Sequence, residues 1–316
     1  MSVDYAKVHD VVIVGSGPAG YTAAIYTARA QLNQIIYEGS VTAGGALMNT
    51  TEVENFPGFE NAIMGPELME QMRKQALRFG ANLVTDDIVS MKLTDDIKEL
   101  EDGSGNKIRA KSVILAMGSA YKELGLENEK RLSGRGVSWC ATCDGFFFRG
   151  QNIVVVGGGD SALEEAQFLT KFAAKVTIVH RRDSLRASKI MQERALNNPK
   201  IKFLWDSAIE EIVGDAKGVT GAVVKNVKTG DSKLVPTKGV FVAIGHKPAT
   251  ELFEKTLKLQ DNGYLWVQPG TTRTSVEGVF ACGDVSDATY RQAITAAGTG
   301  CMSAIEAERW MIEQGV

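Results

Sequence analysis

The sequence predicts an α/β chain of two domains, each built on a mostly parallel sheet, with one domain inserted into the other. Three observations predict it. A strand, a glycine-rich turn and a helix recur in the same order at two places; each copy closes on an apolar strand ending in glycine; and the last third of the chain returns to the first domain.

The first copy reads Asp10-Val11-Val12-Ile13-Val14, then Gly15-Ser16-Gly17-Pro18-Ala19-Gly20, then a helical run through Tyr21 to Tyr26. The second reads Ile153-Val154-Val155-Val156, then Gly157-Gly158-Gly159-Asp160-Ser161-Ala162, then a helix through Leu163 to Ala166. A lone glycine pattern is often no more than a turn. Between a strand and a helix it is a dinucleotide fingerprint, because the glycines permit the tight turn and let a pyrophosphate approach the backbone at the helix N-terminus. Ala162 at the last position is a substitution that the fingerprint allows. Two copies in register make both domains Rossmann-like dinucleotide-binding units.

The residues that follow each loop distinguish the two nucleotides. Glu38, closing the strand Gln34-Ile35-Ile36-Tyr37, stands as far from Gly15 as His180, closing Lys175-Val176-Thr177-Ile178-Val179, stands from Gly157. A carboxylate there accepts hydrogen bonds from ribose hydroxyls and repels a 2′-phosphate, so the first site suits FAD or NAD. His180-Arg181-Arg182, with Arg186 expected one helical turn on, offers a cationic nest for a 2′-phosphate, so the second suits NADPH. Adjacent arginines are more often a solvated pair; the registry with Glu38 favours the nest.

Each copy closes on a strand, Ser112 to Ser119 in the first and Gly239 to His246 in the second, with a glycine where the chain crosses between domains. Those crossings suit hinges. Farther on, Gly278 to Asp284 reads as a strand ending in Gly-Asp, followed by Tyr290-Arg291-Gln292-Ala293 and a helix of small residues to Trp310. A Gly-Asp pair can be only a cap or turn. In a chain with two nucleotide loops, Asp284 reads instead as a group for the flavin's ribityl chain, with Arg291, Gln292 and Ala293 beside the isoalloxazine. The FAD domain is thus expected at 1–117 and 247–316, with the NADPH domain at 118–246.

Between the first crossing and the second loop lies Trp139-Cys140-Ala141-Thr142-Cys143-Asp144-Gly145. Two thiols at this spacing can close a small disulfide and exchange it reversibly. Zinc is the competing reading, but it wants a second such pair or paired histidines. Cys282 and Cys301 have no matching spacing, and His9, His180 and His246 are scattered. Asp144 can shuttle a proton to the thiol pair, or it can be a solvated carboxylate capping a helix.

Composition excludes other classes. With 316 residues, 44% of them hydrophobic, the chain can bury two cores. Lys plus Arg number 35 against 38 Asp plus Glu, a net charge of −3, which does not provide the field that nucleic acid or an anionic membrane attracts. The apolar run after Asp10 is too short for a signal peptide, and no stretch approaches the roughly 18 apolar residues of a membrane helix. Four cysteines are too few for a secreted framework, which makes the cytoplasm the expected compartment.

Taken in order, these motifs, together with Thr51-Glu52-Val53-Glu54-Asn55-Phe56-Pro57-Gly58, resemble the low-molecular-weight thioredoxin reductases of the pyridine nucleotide-disulfide oxidoreductase family from end to end. The resemblance implies a homodimer in which electrons pass from NADPH to FAD, to a Cys140–Cys143 disulfide, and on to thioredoxin. It implies that Cys143 faces the flavin, that Cys140 attacks the substrate disulfide and that Asp144 donates the proton. By the same resemblance the FAD contacts fall on Ser16, Gly17, Pro18, Ala19, Glu38, the Gly44-Gly45 loop, Leu47, Asn55, Asp284, Arg291, Gln292 and Ala293. Those for NADPH fall on Gly157, Gly159, Ser161, His180, Arg181, Arg182, Arg186, Ile244 and Tyr264, with Arg291 shared. Cys282 departs from the family's usual small apolar residue and reads as a buried thiol acting as a small hydrophobe.

Rival readings are a flavoprotein serving a peroxiredoxin-type partner, which usually carries an extra N-terminal region, and an oxidase making disulfides, which tends to lose the NADPH-site arginines. From another class comes a zinc-stapled nucleotide sensor without turnover. A yellow protein bleached by NADPH separates the flavoenzyme from the sensor.

Overall fold

The computed structural model describes residues 4–41 and 43–315. The chain divides into two compact units, Met1–Ala120 with Lys247–Val316, and Tyr121–His246. The sequence put the first crossing after residue 117; the structure divides the chain after Ala120.

The first unit is built on a seven-stranded sheet. Four strands run parallel in the order Asn82–Val84, Gln34–Tyr37, Val8–Val14 and Lys107–Leu115, and Val279–Ala281 adds to the last of them. The hairpin strands Lys98–Asp102 and Ile88–Lys92 continue it antiparallel. Val11 and Ile13 face a layer holding the helices Pro18–Arg29, Gly65–Arg78 and Ala293–Glu313, while Val12 and Val14 face Phe253, Leu257 and Leu265. Burial on both faces explains why these strands read as unbroken apolar runs.

The second unit has a parallel five-stranded sheet in the order Val137–Ser138, Gly239–Val242, Asn152–Val156, Lys175–Val179, Ile201–Leu204. The helices Asp160–Leu169 and Lys189–Leu196 cover one face, and an antiparallel sheet of Ser207–Asp215, Gly218–Asn226 and Ser232–Pro236 covers the other.

The repeat holds at the level of register. Ile13 pairs with Ile36 and Val155 with Ile178, equivalent positions ahead of each glycine loop. The loops are tied alike, Gly15 N to Tyr37 O at 2.9 Å and Gly157 N to Val179 O at 3.1 Å. Both closing strands stop sooner than the sequence suggests, at Leu115 and Val242. Their next amides still bond to the first strand of each repeat, Ala116 N to Val14 O and Ala243 N to Val156 O. The chain then turns through Gly118 at φ +71° and Gly245 at φ +100°, backbone that glycine adopts at little strain. Past these turns, Ser119–Tyr121 and His246–Pro248 pair with each other.

Candidate functional site

Three sites are built on this frame: one at the Gly15 loop, one at the Gly157 loop, and the cysteine pair. Gly15 has to be glycine because a Cβ there would lie 2.3 Å from the Ala116 carbonyl oxygen. Gly17 faces open space, and it starts the helix Pro18–Arg29 with no side-chain cap, so the first amides of the helix are available to an anion. The Ser16 hydroxyl donates to Glu38 O at 2.6 Å and accepts from Gly44 N at 2.9 Å, which joins the glycine loop, the end of the second strand and the Gly44-Gly45 loop in one chain of hydrogen bonds. Leu47, in the short helix Gly45–Asn49, packs against the same core.

The Glu38 carboxylate is already engaged. Oε1 accepts from Tyr21 OH at 2.6 Å and Arg73 Nε at 2.7 Å; Oε2 accepts from an Arg73 terminal nitrogen at 3.1 Å and Thr85 Oγ1 at 3.3 Å. Burial, and secondly the bond to Glu38, pushes the Tyr21 hydroxyl well above the usual tyrosine range. Sequence reading missed Arg73, Tyr21 and Thr85. Tyr21 follows directly on the glycine loop, whereas Arg73 and Thr85 carry no local signal.

Asp284 lies in the short helix Gly283–Val285, next to the Gly15 loop: a Cβ on Gly283 would meet the Ala19 side chain at 2.9 Å. Burial first, and nearby Asp287 second, push its carboxyl up to about 7. Arg291 is one of few described non-glycine residues with positive φ, +49°. Such backbone stores about 1–3 kcal/mol and persists where surroundings enforce it. Here Asp287, also missed, does so: Oδ1 accepts from Thr289 N and Tyr290 N at 2.8 Å each, and Oδ2 from Arg291 N at 3.0 Å. The Arg291 guanidinium bonds to Ala288 O. Asn55 Nδ2 donates to Gln292 Oε1 at 3.2 Å, joining two expected FAD contacts, and Ala293 opens the final helix. The donor set fits FAD: bare helix amides, a carboxylate closing the second strand as a ribose needs, and a buried carboxyl of raised pKa able to bond hydroxyls.

The second loop differs where its nucleotide should differ. Gly159 faces open space at the uncapped start of the helix Asp160–Leu169, and Ser161 is exposed in its first turn. His180 corrects the sequence reading. Its ring lies under the loop, so close that a Cβ on Gly158 would meet it at 2.3 Å, and Nε2 is 3.0 Å from Ser184 O. Burial, with Arg186, Arg182 and Arg181 adding to it, lowers its pKa, so the ring is a neutral spacer at pH 7 and not a member of the cationic nest. Arg181, Arg182 and Arg186 are exposed and carry the charge. Arg186 is not on a helical turn. Its amide bonds to Gly158 O at 2.8 Å, which holds that stretch as a loop ahead of the helix Lys189–Leu196. Ile244 follows Ala243, whose carbonyl oxygen closes against Gly157. Tyr264 belongs to the other unit, where it is buried.

Cys140 and Cys143 form a disulfide with Cα atoms 5.3 Å apart. The short helix Ala141–Asp144 begins at Cys140, whose Sγ accepts from Cys143 N at 3.2 Å. A sulfur receiving a helix-start amide is stabilised as thiolate once reduced. Ser138 Oγ accepts from Cys140 N at 3.1 Å and braces the turn. Burial raises the Asp144 carboxyl above the ordinary carboxylate range, and Ser138 pulls it partly back. Cys282 is fully buried, its thiol pushed up to about 12 by desolvation, as fits a small hydrophobe. Among the described residues no group of three or more His, Cys, Asp or Glu is placed to hold a metal, and no helix is long and apolar enough to cross a membrane.

A family model for pyridine nucleotide-disulphide oxidoreductases matches residues 9–300. The thioredoxin reductase of Streptomyces coelicolor is 62% identical over 306 residues, covering 97% of this chain and 95% of that protein. That of Mycolicibacterium smegmatis is 59% identical over 307 residues, covering 97% and 98%. The solved structure of thioredoxin reductase from Giardia duodenalis superposes with a TM-score of 0.93 at 41% identity, covering 97% of this chain and 99% of that one.

Proposed function

The chain belongs to the pyridine nucleotide-disulphide oxidoreductase family, and we infer from that premise that it is a thioredoxin reductase drawing electrons from NADPH. The observation that carries the reading is the Cys140–Cys143 disulfide, held beside a carboxyl of raised pKa in a chain with two dissimilar nucleotide loops.

Bound FAD supplies the two-electron carrier between the nicotinamide hydride and the protein disulfide. The Gly15 loop, Ser16 to Ala19, Glu38, the Gly44-Gly45 loop, Leu47, Asn55, Asp284 and Arg291 to Ala293 hold it. Gly157, Gly159, Ser161, Arg181, Arg182, Arg186 and Ile244 hold NADPH, with His180 shaping the loop from beneath. Once the pair is reduced, the Cys140 thiolate attacks one sulfur of the thioredoxin disulfide, and the other sulfur leaves with a proton from Asp144. The Cys143 thiol then attacks Cys140 Sγ and gives up its proton to the second thioredoxin sulfur as that sulfur leaves, which restores the Cys140–Cys143 disulfide and frees the second thioredoxin thiol. Two electrons and two protons are delivered per cycle.

The cysteine pair and the Gly157 loop lie in the same unit, while the Gly15 loop lies in the other. A nicotinamide held at the Gly157 loop and the disulfide would therefore both have to reach a flavin held at the Gly15 loop. Each reaction needs its atoms within about 3–3.5 Å, so the two take turns, and the unit Tyr121–His246 rotates on its crossings between half-reactions. The crossing glycines, Gly118 and Gly245, supply the pivots. The working assembly is a homodimer in the cytoplasm.

The experiment is direct: purified protein is mixed with NADPH and an oxidised thioredoxin, and free thiol is counted. The reading predicts NADPH-dependent thiol formation, lost in Cys140→Ser. Thiol formation that persists in that variant contradicts it.

A further inference from the structure

The four hydrogen bonds on the Glu38 carboxylate pose a chemical question. A ribose hydroxyl has to find a lone pair there, yet Tyr21 and Arg73 Nε fill Oε1, while a terminal nitrogen of Arg73 and Thr85 fill Oε2. One donor has to leave, and the distances rank them. Thr85 is the farthest, at 3.3 Å, and is neutral. Arg73 makes two charge-assisted bonds in the planar fork geometry that guanidinium and carboxylate share.

The pair is also asymmetric in exposure. The Glu38 side chain is 1% exposed and that of Arg73 34%, so the carboxylate is the enclosed member of the pair and the arginine the one open to solvent. The bonds to Glu38 in turn hold Arg73 firmly protonated. The titratable groups facing Glu38 are Tyr21, from the helix Pro18–Arg29, and Arg73, from the helix Gly65–Arg78, with Glu70 beside Arg73. Arg73 is thus the cation that faces it.

We propose that Arg73 is the positioning residue of the FAD ribose site: its two-bond fork holds the buried Glu38 carboxylate aimed, while Thr85 is the donor that a ribose hydroxyl displaces. This rests on the assignment of FAD to the Gly15 loop. An arginine on a helix remote in sequence from both the glycine loop and Glu38 therefore helps to set how tightly this chain holds its flavin.

The test strips FAD from the holoenzyme and titrates it back, following quenching of flavin fluorescence. Arg73→Gln is expected to bind FAD about 10- to 100-fold more weakly, the loss of a charge-assisted contact. Arg73→Lys restores the charge without the fork and is expected to fall between. Thr85→Val leaves an acceptor waiting for the ribose and is expected to bind FAD several-fold more tightly. A wild-type affinity in Arg73→Gln, or in Arg73→Lys should the first variant not fold, overturns the proposal, as does tenfold weaker binding in Thr85→Val. A wild-type protein that takes up no FAD instead overturns the FAD assignment itself.

Discussion

The amide of Arg186 donates to the carbonyl of Gly158 at 2.8 Å, which fastens this arginine to the second glycine loop. Arg181 and Arg182 follow the buried His180 and are themselves exposed. Removing one charge-assisted contact to a 2′-phosphate costs about 1.5–3 kcal/mol, roughly 10- to 150-fold in affinity. Arg181→Gln and Arg186→Gln are each expected to raise the KM for NADPH by that factor and to leave that for NADH unchanged. Steady-state kinetics with both nucleotides checks this; an unchanged NADPH KM in both variants contradicts the assignment.

Burial raises the Asp144 carboxyl above the ordinary carboxylate range. A proton donor works while it still carries its proton, so the rate of thioredoxin reduction is expected to fall as pH rises through that elevated value. Asp144→Asn removes the donor and is expected to slow reduction about 100-fold or more, and to flatten this limb of the pH profile. Profiles of kcat/KM for thioredoxin in both proteins check it, and a limb that survives in the variant assigns the titration elsewhere.

Much of this was legible in the sequence because it is local. The strand, loop and helix of each repeat, Glu38 and His180 at matching distance, and the cysteine pair beside Asp144 are each fixed by near neighbours. What was not legible depends on tertiary contact. His180 read as a cation because its neighbours are arginines, and only the packing of its ring under Gly158 shows that it is buried. Arg186 read as helical because nothing local reveals that its amide bonds to Gly158. Arg73 and Asp287 reach their partners from a separate helix and from a loop whose shape is set by the carboxylate itself.

Asp284 gives a stability signature in protein stripped of FAD. Its carboxyl is pushed up from 3.8 to about 7 in the folded state, so the folded protein holds a proton that the unfolded chain releases. That contribution is fully present below about 4 and is lost as pH rises towards 7. Asp284→Asn keeps a neutral group at every pH. The Tm of wild type relative to this variant is therefore expected to be higher at pH 5 than at pH 8, and an equal difference at both pH values contradicts the assigned shift.

Rotation on the two crossings makes a mechanical prediction. A reversible cross-link engineered between the two units is expected to permit one half-reaction and block the other. Flavin bleaching by NADPH and thiol release from thioredoxin, measured separately before and after cleaving the link, check it. Full steady-state turnover in the linked protein contradicts the rotation.

The order of electron transfer is the central claim, and stopped-flow absorbance of the Cys143→Ser holoenzyme tests it most directly. With FAD bound, NADPH is expected to bleach the flavin at a rate near that of wild type, because hydride transfer precedes the thiol step, while thioredoxin reduction is abolished. A variant that retains FAD but is not bleached by NADPH, or one that still reduces thioredoxin, would contradict the account.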